Sequence, residues 1–141
     1  MKIAIINGPN LNLIGTREPE IYGTESLTQY LLSLQQKYHS ISISIFQSNI
    51  EGEIINEIQK HSFDTDAIII NAGAYTHTSI AIADALRNVK TKKIIEVHIS
   101  NIYAREQFRR ESYIAAVCMG SLCGFGLHGY ELAIQSLLDK D

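Results

Sequence analysis

Cysteine is scarce in this chain, which has two among its 141 residues, Cys118 and Cys123. Their spacing fits neither a redox pair nor half of a usual zinc site. Free cysteine is commonly buried as a small apolar residue, so we predict that both thiols are reduced and structural.

Surplus positive charge is also missing: 12 Lys and Arg stand against 15 Asp and Glu, which gives a formal net charge of -3. The basic residues are scattered except for Lys90, Lys92 and Lys93, which we interpret as a solvated charged face. A chain without excess cations cannot neutralise many phosphates. The composition therefore excludes nucleic acid from the predicted partners.

Long apolar runs are absent as well. No stretch approaches the roughly 20 apolar residues that span a bilayer. The apolar run after Lys2 is shorter than the roughly 7–15 apolar residues of a signal peptide. We therefore predict a cytoplasmic protein that does not enter a membrane.

What the sequence does contain is the material for one core. Of its 141 residues, 45% are hydrophobic and 19% are charged, and no linker, repeat or low-complexity tract divides them. We predict a single domain over residues 1–141.

Apolar runs of strand length alternate with segments of helical period, which is typical of an α/β fold. Strands are predicted at residues 2–7, 41–46, 67–70, 94–100 and 115–120. Helices are predicted from Ser26, where Gln29 completes a capping box, then around 50–58, 82–89 and 127–138, with a short polar helix at 105–110. Right-handed crossovers between five strands favour a flavodoxin-like, doubly wound parallel sheet of order 2-1-3-4-5.

The predicted strand order also locates the ligand site. In a sheet of this order, the ligand lies beyond the carboxyl ends of strands 1 and 3, where the winding reverses. The loops that follow Asn7 and Asn71 are therefore the expected site.

The loop after strand 1 places Arg17 five residues before Tyr22. So long a connection in a compact α/β domain is usually functional or mobile, although a plain surface turn remains an alternative. Ionising a tyrosine of pKa about 10 at neutral pH costs roughly 4 kcal/mol. A nearby guanidinium would offset part of that cost, which makes Tyr22 a candidate phenolate base.

Two histidines lie at the carboxyl ends of two adjacent strands in the predicted sheet. His77 lies in the loop after strand 3, and alternation places Glu96, His98 and Ser100 on one face of strand 4. One such histidine alone is more often a core group than a catalyst, but here Glu96 could fix the tautomer of His98. Zinc held by His77, Glu96 and His98 stays an alternative, although no i, i+4 ligand pair supports it.

Residues 124–129 match the spelling G-x-G-x-x-G between a strand and a helix. We interpret these glycines as a tight turn with close helix packing, because a dinucleotide site needs a further strand that ends in an acid about 20 residues on. A flavin carrier or a receiver domain of the same fold is the rival class. A receiver needs clustered acids after strand 1, where this chain has Asn7 and Asn10, and a flavin carrier would be yellow.

Six segments together resemble the signature blocks of type II 3-dehydroquinate dehydratase. These are residues 7–12, 17–23, 47–52, 71–79, 96–101 and 104–109, so the resemblance covers essentially the whole chain. One departure is Lys93, which stands where this family often has proline. Lys93 precedes strand 4, at the edge of the sheet opposite the predicted site.

The resemblance implies a hydro-lyase that converts 3-dehydroquinate to 3-dehydroshikimate by anti elimination of water through an enolate, with no cofactor, metal or Schiff base. Tyr22 would remove a C2 proton, and Arg17 would keep the phenol of Tyr22 ionised. Asn10 would stabilise the enolate through a water. His98, oriented by Glu96, would protonate the departing hydroxyl. The predicted site also lacks the lysine that a Schiff-base route needs.

The remaining roles are also implied by the resemblance. The substrate-binding residues would be Asn71, Gly73, His77, Asp84, Ile99, Ser100 and Arg109. Asn71 and the backbone N–H groups of Ile99 and Ser100 would hold the carboxylate, while Asp84 would reach a neighbouring subunit's site. The family assembles as a homododecamer, a tetramer of trimers, in which each site takes a small molecule. The resemblance fits an enzyme of aromatic biosynthesis and an enzyme of quinate breakdown equally, because both pathways use this reaction.

Overall fold

The computed structural model describes residues 1–15, 20, 25–91 and 93–139. The sheet has five strands: β1 (Lys2–Asn7), β2 (Ser42–Gln47), β3 (Ala67–Asn71), β4 (Ile94–His98) and β5 (Gly120–Cys123). Within this described part of the chain, four α-helices pack on the sheet: α1 (Leu27–Lys37), α2 (Glu51–Lys60), α3 (Ile80–Arg87) and α4 (His128–Leu138). Short 3-10 helices occupy Leu11–Leu13, Gly73–His77, Ile102–Ala104, Gln107–Arg110 and Ala115–Val117.

The strands pair in parallel in the order β2-β1-β3-β4-β5. The predicted flavodoxin-like α/β fold and its strand order are therefore confirmed. β3 and β4 are buried along their whole length, as expected for strands with helices on both faces.

Two apolar clusters fill the space between the sheet and its helices. One joins α1 and α4 to the first face of the sheet, with Leu31 and Ile134 among its members. The other joins α2 and α3 to the opposite face through Ile58 and Leu86. The helices on both faces make the sheet doubly wound, as predicted.

Side-chain caps start two of the helices where the sequence indicates. The hydroxyl of Ser26 accepts a hydrogen bond from the backbone N–H of Gln29 at 3.5 Å, and Ser79 caps α3 through the N–H of Ile82 at 3.0 Å. None of the helices within the described part of the chain is both long enough and apolar enough to cross a membrane.

The prediction for the fifth strand is wrong. Residues 115–117 form a 3-10 helix, and the strand begins only at Gly120. Only part of this apolar run reaches the core: Val117 and Cys118 are half-buried and pack against its α2–α3 side, whereas Ala116 and Met119 are exposed. β5 itself is an edge strand with exposed residues at its start, so no buried apolar run marks it.

Smaller differences concern the ends of elements. β2 is one residue later than predicted, and β4 ends at His98 instead of Ser100. The predicted short helix at 105–110 is a 3-10 turn, Gln107–Arg110, preceded by another at Ile102–Ala104.

The glycines at 124–129 form a tight turn with close packing, as predicted. Gly124 and Gly126 have φ values of 90° and 59°, and a Cβ on Gly129 would lie 3.4 Å from Cγ1 of Val97. The segment thus brings α4 close against β4.

The loops after β1 and β3 touch each other at Gly8. Its N–H donates to the carbonyl of Asn71 at 2.7 Å, and a Cβ on Gly8 would lie 2.4 Å from the carbonyl oxygen of Ala72. No side chain fits at that distance, so glycine is required here for the two site loops to meet.

We expect Gly8→Ala to lower the free energy of unfolding by about 1–3 kcal/mol, because the added methyl forces the two loops apart. Equilibrium denaturation measures this loss. Gly52→Ala in α2 is the control, since a Cβ there meets nothing within 4 Å. That variant should be unchanged or up to about 1 kcal/mol more stable, and a Gly8→Ala protein as stable as Gly52→Ala would contradict the close approach.

Candidate active site

A pocket of about 310 Å³ lies at the carboxyl ends of β1, β3 and β4, where the reversal of winding predicts a ligand site. Its described lining consists of Pro9, Asn10, Leu11, Leu13, Ile14, Asn71, Gly73, Ala74, His77, His98, Ile99, Ser100, Ile102, Arg105, Glu106 and Arg109. Among the described candidates from the sequence, all but Glu96 and Asp84 line it. Arg17 and Tyr22 lie outside the described residues.

His98 and Glu96 form a buried pair at the end of β4. The imidazole Nε2 lies 2.9 Å from Oε1 of Glu96, and the two side chains are 6% and 1% exposed. A carboxylate can only accept, so Nε2 carries the hydrogen of this bond. Nδ1 is then the ring nitrogen of His98 that is left for a ligand.

Two serines complete the hydrogen bonding of Glu96. Ser112 donates to Oε1 at 2.7 Å, and Ser121 on β5 donates to Oε2 at 2.9 Å. Burial alone would raise the pKa of Glu96, but the hydrogen bonds from His98 and the serines outweigh it and lower the pKa below its usual value. Glu96 therefore stays ionised behind the imidazole.

His77 faces His98 across the pocket. Nδ1 of His77 lies 2.6 Å from the carbonyl oxygen of Glu111, which can only accept, so Nδ1 carries a hydrogen. In the neutral ring Nε2 is then an acceptor. The His77 and His98 rings stack with centroids 6.3 Å apart, and the edge of Phe108 meets His77 at 6.1 Å.

Two arginines bring positive charge to the rim of the pocket. Arg105 donates to the hydroxyl of Ser100 at 3.2 Å, and Arg109 pairs with Glu106 through its Nε. The Arg109 guanidinium also lies 5.0 Å from the centre of the Phe108 ring. Guanidinium groups at the mouth favour an anionic ligand.

Asn10 has the only positive φ among the described residues other than glycine, at 69°. Its backbone N–H donates to Oδ1 of Asn49 at 3.0 Å, and Gln47 donates to the same oxygen at 3.1 Å. The segment after β2 thus holds the segment after β1 in the turn that brings Asn10 to the pocket.

Comparison with known proteins identifies the family. The sequence profile of dehydroquinase class II matches residues 1–138. The chain belongs to this family. The predicted resemblance to type II 3-dehydroquinate dehydratase is therefore confirmed, and the chain is an enzyme of that type.

Individual relatives of the family are similar over their whole length. A 3-dehydroquinate dehydratase of Lachnoclostridium phytofermentans is 56% identical over an alignment of 145 positions that covers 100% of this chain and 99% of the relative. The crystal structure of type II dehydroquinase from Butyrivibrio crossotus superposes with a TM-score of 0.94 at 49% identity and covers 99% and 98% of the two chains. That from Propionibacterium acnes gives 0.91 at 40% identity and covers 96% and 94%.

Of the two described candidates that do not line the pocket, Glu96 lies directly behind His98, whereas Asp84 has no contact with the pocket residues that the structure gives. It lies exposed on α3 and forms an ion pair with Arg87 at 2.5 Å. The resemblance assigns it to a neighbouring subunit's site, so its role stays a prediction.

The described residues contain no cluster of three or more His, Cys, Asp or Glu side chains with metal-ligand geometry. Both oxygens of Glu96 are already bonded to His98 and the two serines. Cys118 and Cys123 are unpaired and half-buried. Burial raises the pKa of Cys118 to about 12, with the charge of Glu96 adding to the shift, so this thiol stays protonated.

Sequence reasoning missed Ser112, Ser121, Arg105 and Glu106 as members of the site. Ser121 faces Glu96 across the β4–β5 ladder, a register that cannot be deduced without the true bounds of β5. Arg105 and Glu106 do fall within a family block, and their charge beside a predicted site is the signal that could have found them.

Proposed function

We propose that the protein removes water from 3-dehydroquinate to give 3-dehydroshikimate by anti elimination. The observation that carries this proposal is the buried Glu96–His98 pair, which opens into a pocket bordered by two arginines in a chain of the class II dehydroquinase family. The pair suits acid catalysis, and the arginines suit an acid as substrate.

The reaction begins with removal of a proton from C2. Tyr22, kept as a phenolate by Arg17, takes this proton, and the electron pair of the C–H bond moves into the enolate of the C3 ketone. Asn10 stabilises the enolate oxygen through a water, because hydrogen bonds aimed at developing charge lower the barrier. Enolate formation is the step that the loop after β1 serves.

The second step expels the C1 hydroxyl. His98 donates its Nδ1 proton to the departing oxygen, the C–O bond breaks, and the enolate electrons form the C1–C2 double bond of a conjugated enone. Glu96 balances the charge of the protonated imidazole and holds its orientation at 2.9 Å. Water leaves, and no group of the protein forms a covalent bond to the substrate at any stage.

Binding residues come from the ends of β3 and β4. The substrate carboxylate is held by Asn71 and the backbone N–H groups of Ile99 and Ser100. Ring hydroxyls are held by His77, whose Nε2 is available as an acceptor, and by Arg109, while Gly73 forms part of the wall. All of these residues meet in the same pocket, which supports the assignment.

The absence of covalent and metal chemistry is part of the proposal. No lysine lines the pocket among the residues that the structure describes. The substrate ketone therefore meets no side-chain amine among them with which it could form an imine. The residues present can complete the elimination by proton transfers alone.

An assay of enone formation tests the function. Purified protein is mixed with 3-dehydroquinate, and the ultraviolet absorbance of the conjugated enone is followed with and without chelator. We expect equal rates in both, and full activity after treatment with borohydride in the presence of substrate. Absence of enone would overturn the function, inactivation by borohydride would indicate an imine, and chelator inhibition reversed by zinc would indicate a metal.

We also propose that the chain forms a homododecamer, a tetramer of trimers, in the cytoplasm, with Asp84 reaching the site of a neighbouring subunit. This rests on the family resemblance. Light scattering on protein eluted from a size-exclusion column measures the mass of the assembly. A monomer of 15.8 kDa with full activity would contradict a site that Asp84 shares between subunits.

A further inference from the structure

Tyr130 is a fully buried tyrosine of α4 that ends behind the pocket wall. Its side chain is 0% exposed, and its hydroxyl donates to Oδ1 of Asn7 at 2.6 Å and accepts from Nδ2 of Asn71 at 3.0 Å. Asn7 and Asn71 are the last residues of the neighbouring strands β1 and β3. One phenol therefore links the two strand ends between which the ligand site opens.

The donors and acceptors in this chain of hydrogen bonds can run in one direction only. The backbone N–H of Gly73 donates to Oδ1 of Asn71 at 3.2 Å, so the amide oxygen faces Gly73 and the amide nitrogen faces Tyr130. Burial raises the pKa of Tyr130, so the phenol keeps its proton. That proton goes to Asn7, which leaves the phenol oxygen as the acceptor for Asn71.

The consequence is an Asn71 amide held at two points. Gly73 fixes its oxygen and Tyr130 fixes its nitrogen, which together set the plane of the amide. Asn71 is 2% exposed and lines the pocket, so its second N–H is the donor left for a ligand. An amide held by one hydrogen bond could rotate about that hydrogen bond, whereas an amide held by two hydrogen bonds cannot.

We infer that Tyr130 is a positioning residue, which acts through Asn71 to aim the free amide N–H at the carboxylate of the bound substrate. Tyr130 itself is not among the residues that line the pocket. The inference rests on the proposed function, because it assigns the substrate carboxylate to Asn71. It adds that α4, which contributes no lining residue to the described pocket, sets the affinity of the pocket for acids.

Tyr38 provides a control phenol with the same pattern of hydrogen bonds, although it is half-buried where Tyr130 is fully buried. Its hydroxyl donates to Oε1 of Glu131 at 2.8 Å and accepts from Nε2 of Gln135 at 3.3 Å. Like Tyr130, it thus gives one bond to a side-chain oxygen and takes one from a side-chain amide. None of these three residues lines the pocket.

The test compares Tyr130→Phe, Tyr38→Phe, Asn71→Ala and the double variant Tyr130→Phe/Asn71→Ala in the enone assay. We expect Tyr130→Phe to raise KM for 3-dehydroquinate about tenfold with kcat within about threefold, since a misaligned bond to a charged group weakens binding in ground and transition states alike. Tyr38→Phe should leave KM unchanged. The double variant should show the KM of Asn71→Ala alone, because removal of the amide removes what Tyr130 aligns.

Each other outcome overturns the inference in a recognisable way. A Tyr130→Phe protein with the KM of the wild type shows that Asn71 needs no alignment. Effects of the two substitutions that multiply in the double variant show that Tyr130 acts on structure alone. Failure of the wild type to form enone would overturn the proposed function, and this role with it, before any variant is compared.

A second variant covers the case in which Tyr130→Phe does not fold. Asn7→Leu keeps the size of the side chain but removes the acceptor of the phenol proton, which then competes for Oδ1 of Asn71. We expect KM to rise about threefold or more and this rise to vanish in the Asn71→Ala background. An unchanged KM would count against the positioning role as directly as it would in Tyr130→Phe.

Discussion

Replacement of His98 with alanine is expected to lower kcat by a factor of about 10²–10⁴, with a much smaller rise in KM. Hydroxide is a poor leaving group, and His98 is the group that would protonate it as the C–O bond breaks. The imidazole is already oriented for this by Glu96 at 2.9 Å, and both side chains are buried. Steady-state enone kinetics measure both constants.

His61 is the matched control for this variant. Its Nε2 lies 2.9 Å from Oε1 of Glu57, so it forms a histidine–glutamate pair of the same length at the end of α2, outside the pocket. His61→Ala should keep the kcat of the wild type even if it loses some stability. A similar loss of kcat in both variants would mean that His98 acts through the fold.

Replacement of Tyr22 with phenylalanine, or of Arg17 with alanine, is expected to abolish turnover while the protein stays folded. The expected loss in kcat is at least about 10²–10⁴, because general-base catalysis contributes that much. Without Arg17, ionising the phenol at neutral pH again costs close to 4 kcal/mol. Circular dichroism checks the fold, and enone kinetics check the activity.

Tyr30 is the control phenol for this prediction. It lies on α1, and burial raises its pKa to about 12, so it is protonated at neutral pH and cannot act as a base. Tyr30→Phe should therefore retain the kcat of the wild type. Turnover by Tyr22→Phe at a rate near that of Tyr30→Phe would remove Tyr22 from the role of base.

The buried part of the fold could be predicted from the sequence because burial leaves a pattern. β3 is a run of apolar residues that ends in Asn71, and α1 begins at a serine that caps it. β5 could not be placed, because it has one neighbour in the sheet and its first residues are exposed. A strand that is half exposed carries no continuous apolar signal, whereas the partly buried turn before it, Ala115–Val117, is apolar throughout.

The site could be predicted to the extent that it depends on strand ends. The reversal of winding selects the loops after Asn7 and Asn71, and alternation along β4 pairs Glu96 with His98. The residues that hold the site residues in place depend instead on which side chains face each other across strands and helices. Ser121 meets Glu96 only through the β4–β5 register, which spacing along the chain does not contain.

Tyr130 lies between these two cases. Its place among the apolar residues of α4 predicts that the ring is buried, and a buried phenol needs a partner for its hydroxyl. That requirement is a usable signal in the sequence. The partners themselves, Asn7 and Asn71, lie more than fifty residues away and are brought together only by the parallel pairing of β1 and β3.

Exchange of the C2 proton in deuterated solvent tests the central claim most directly, namely that one group removes the proton and His98 completes the elimination. His98→Ala is incubated with 3-dehydroquinate in D2O, and the recovered substrate is analysed by NMR. With His98→Ala we expect deuterium to enter C2 of the substrate faster than it does in buffer without enzyme, while little enone forms. With Tyr22→Phe we expect no exchange above the rate in buffer. Recovery of undeuterated substrate from His98→Ala would contradict it, because His98 would then be needed before the C–O bond breaks.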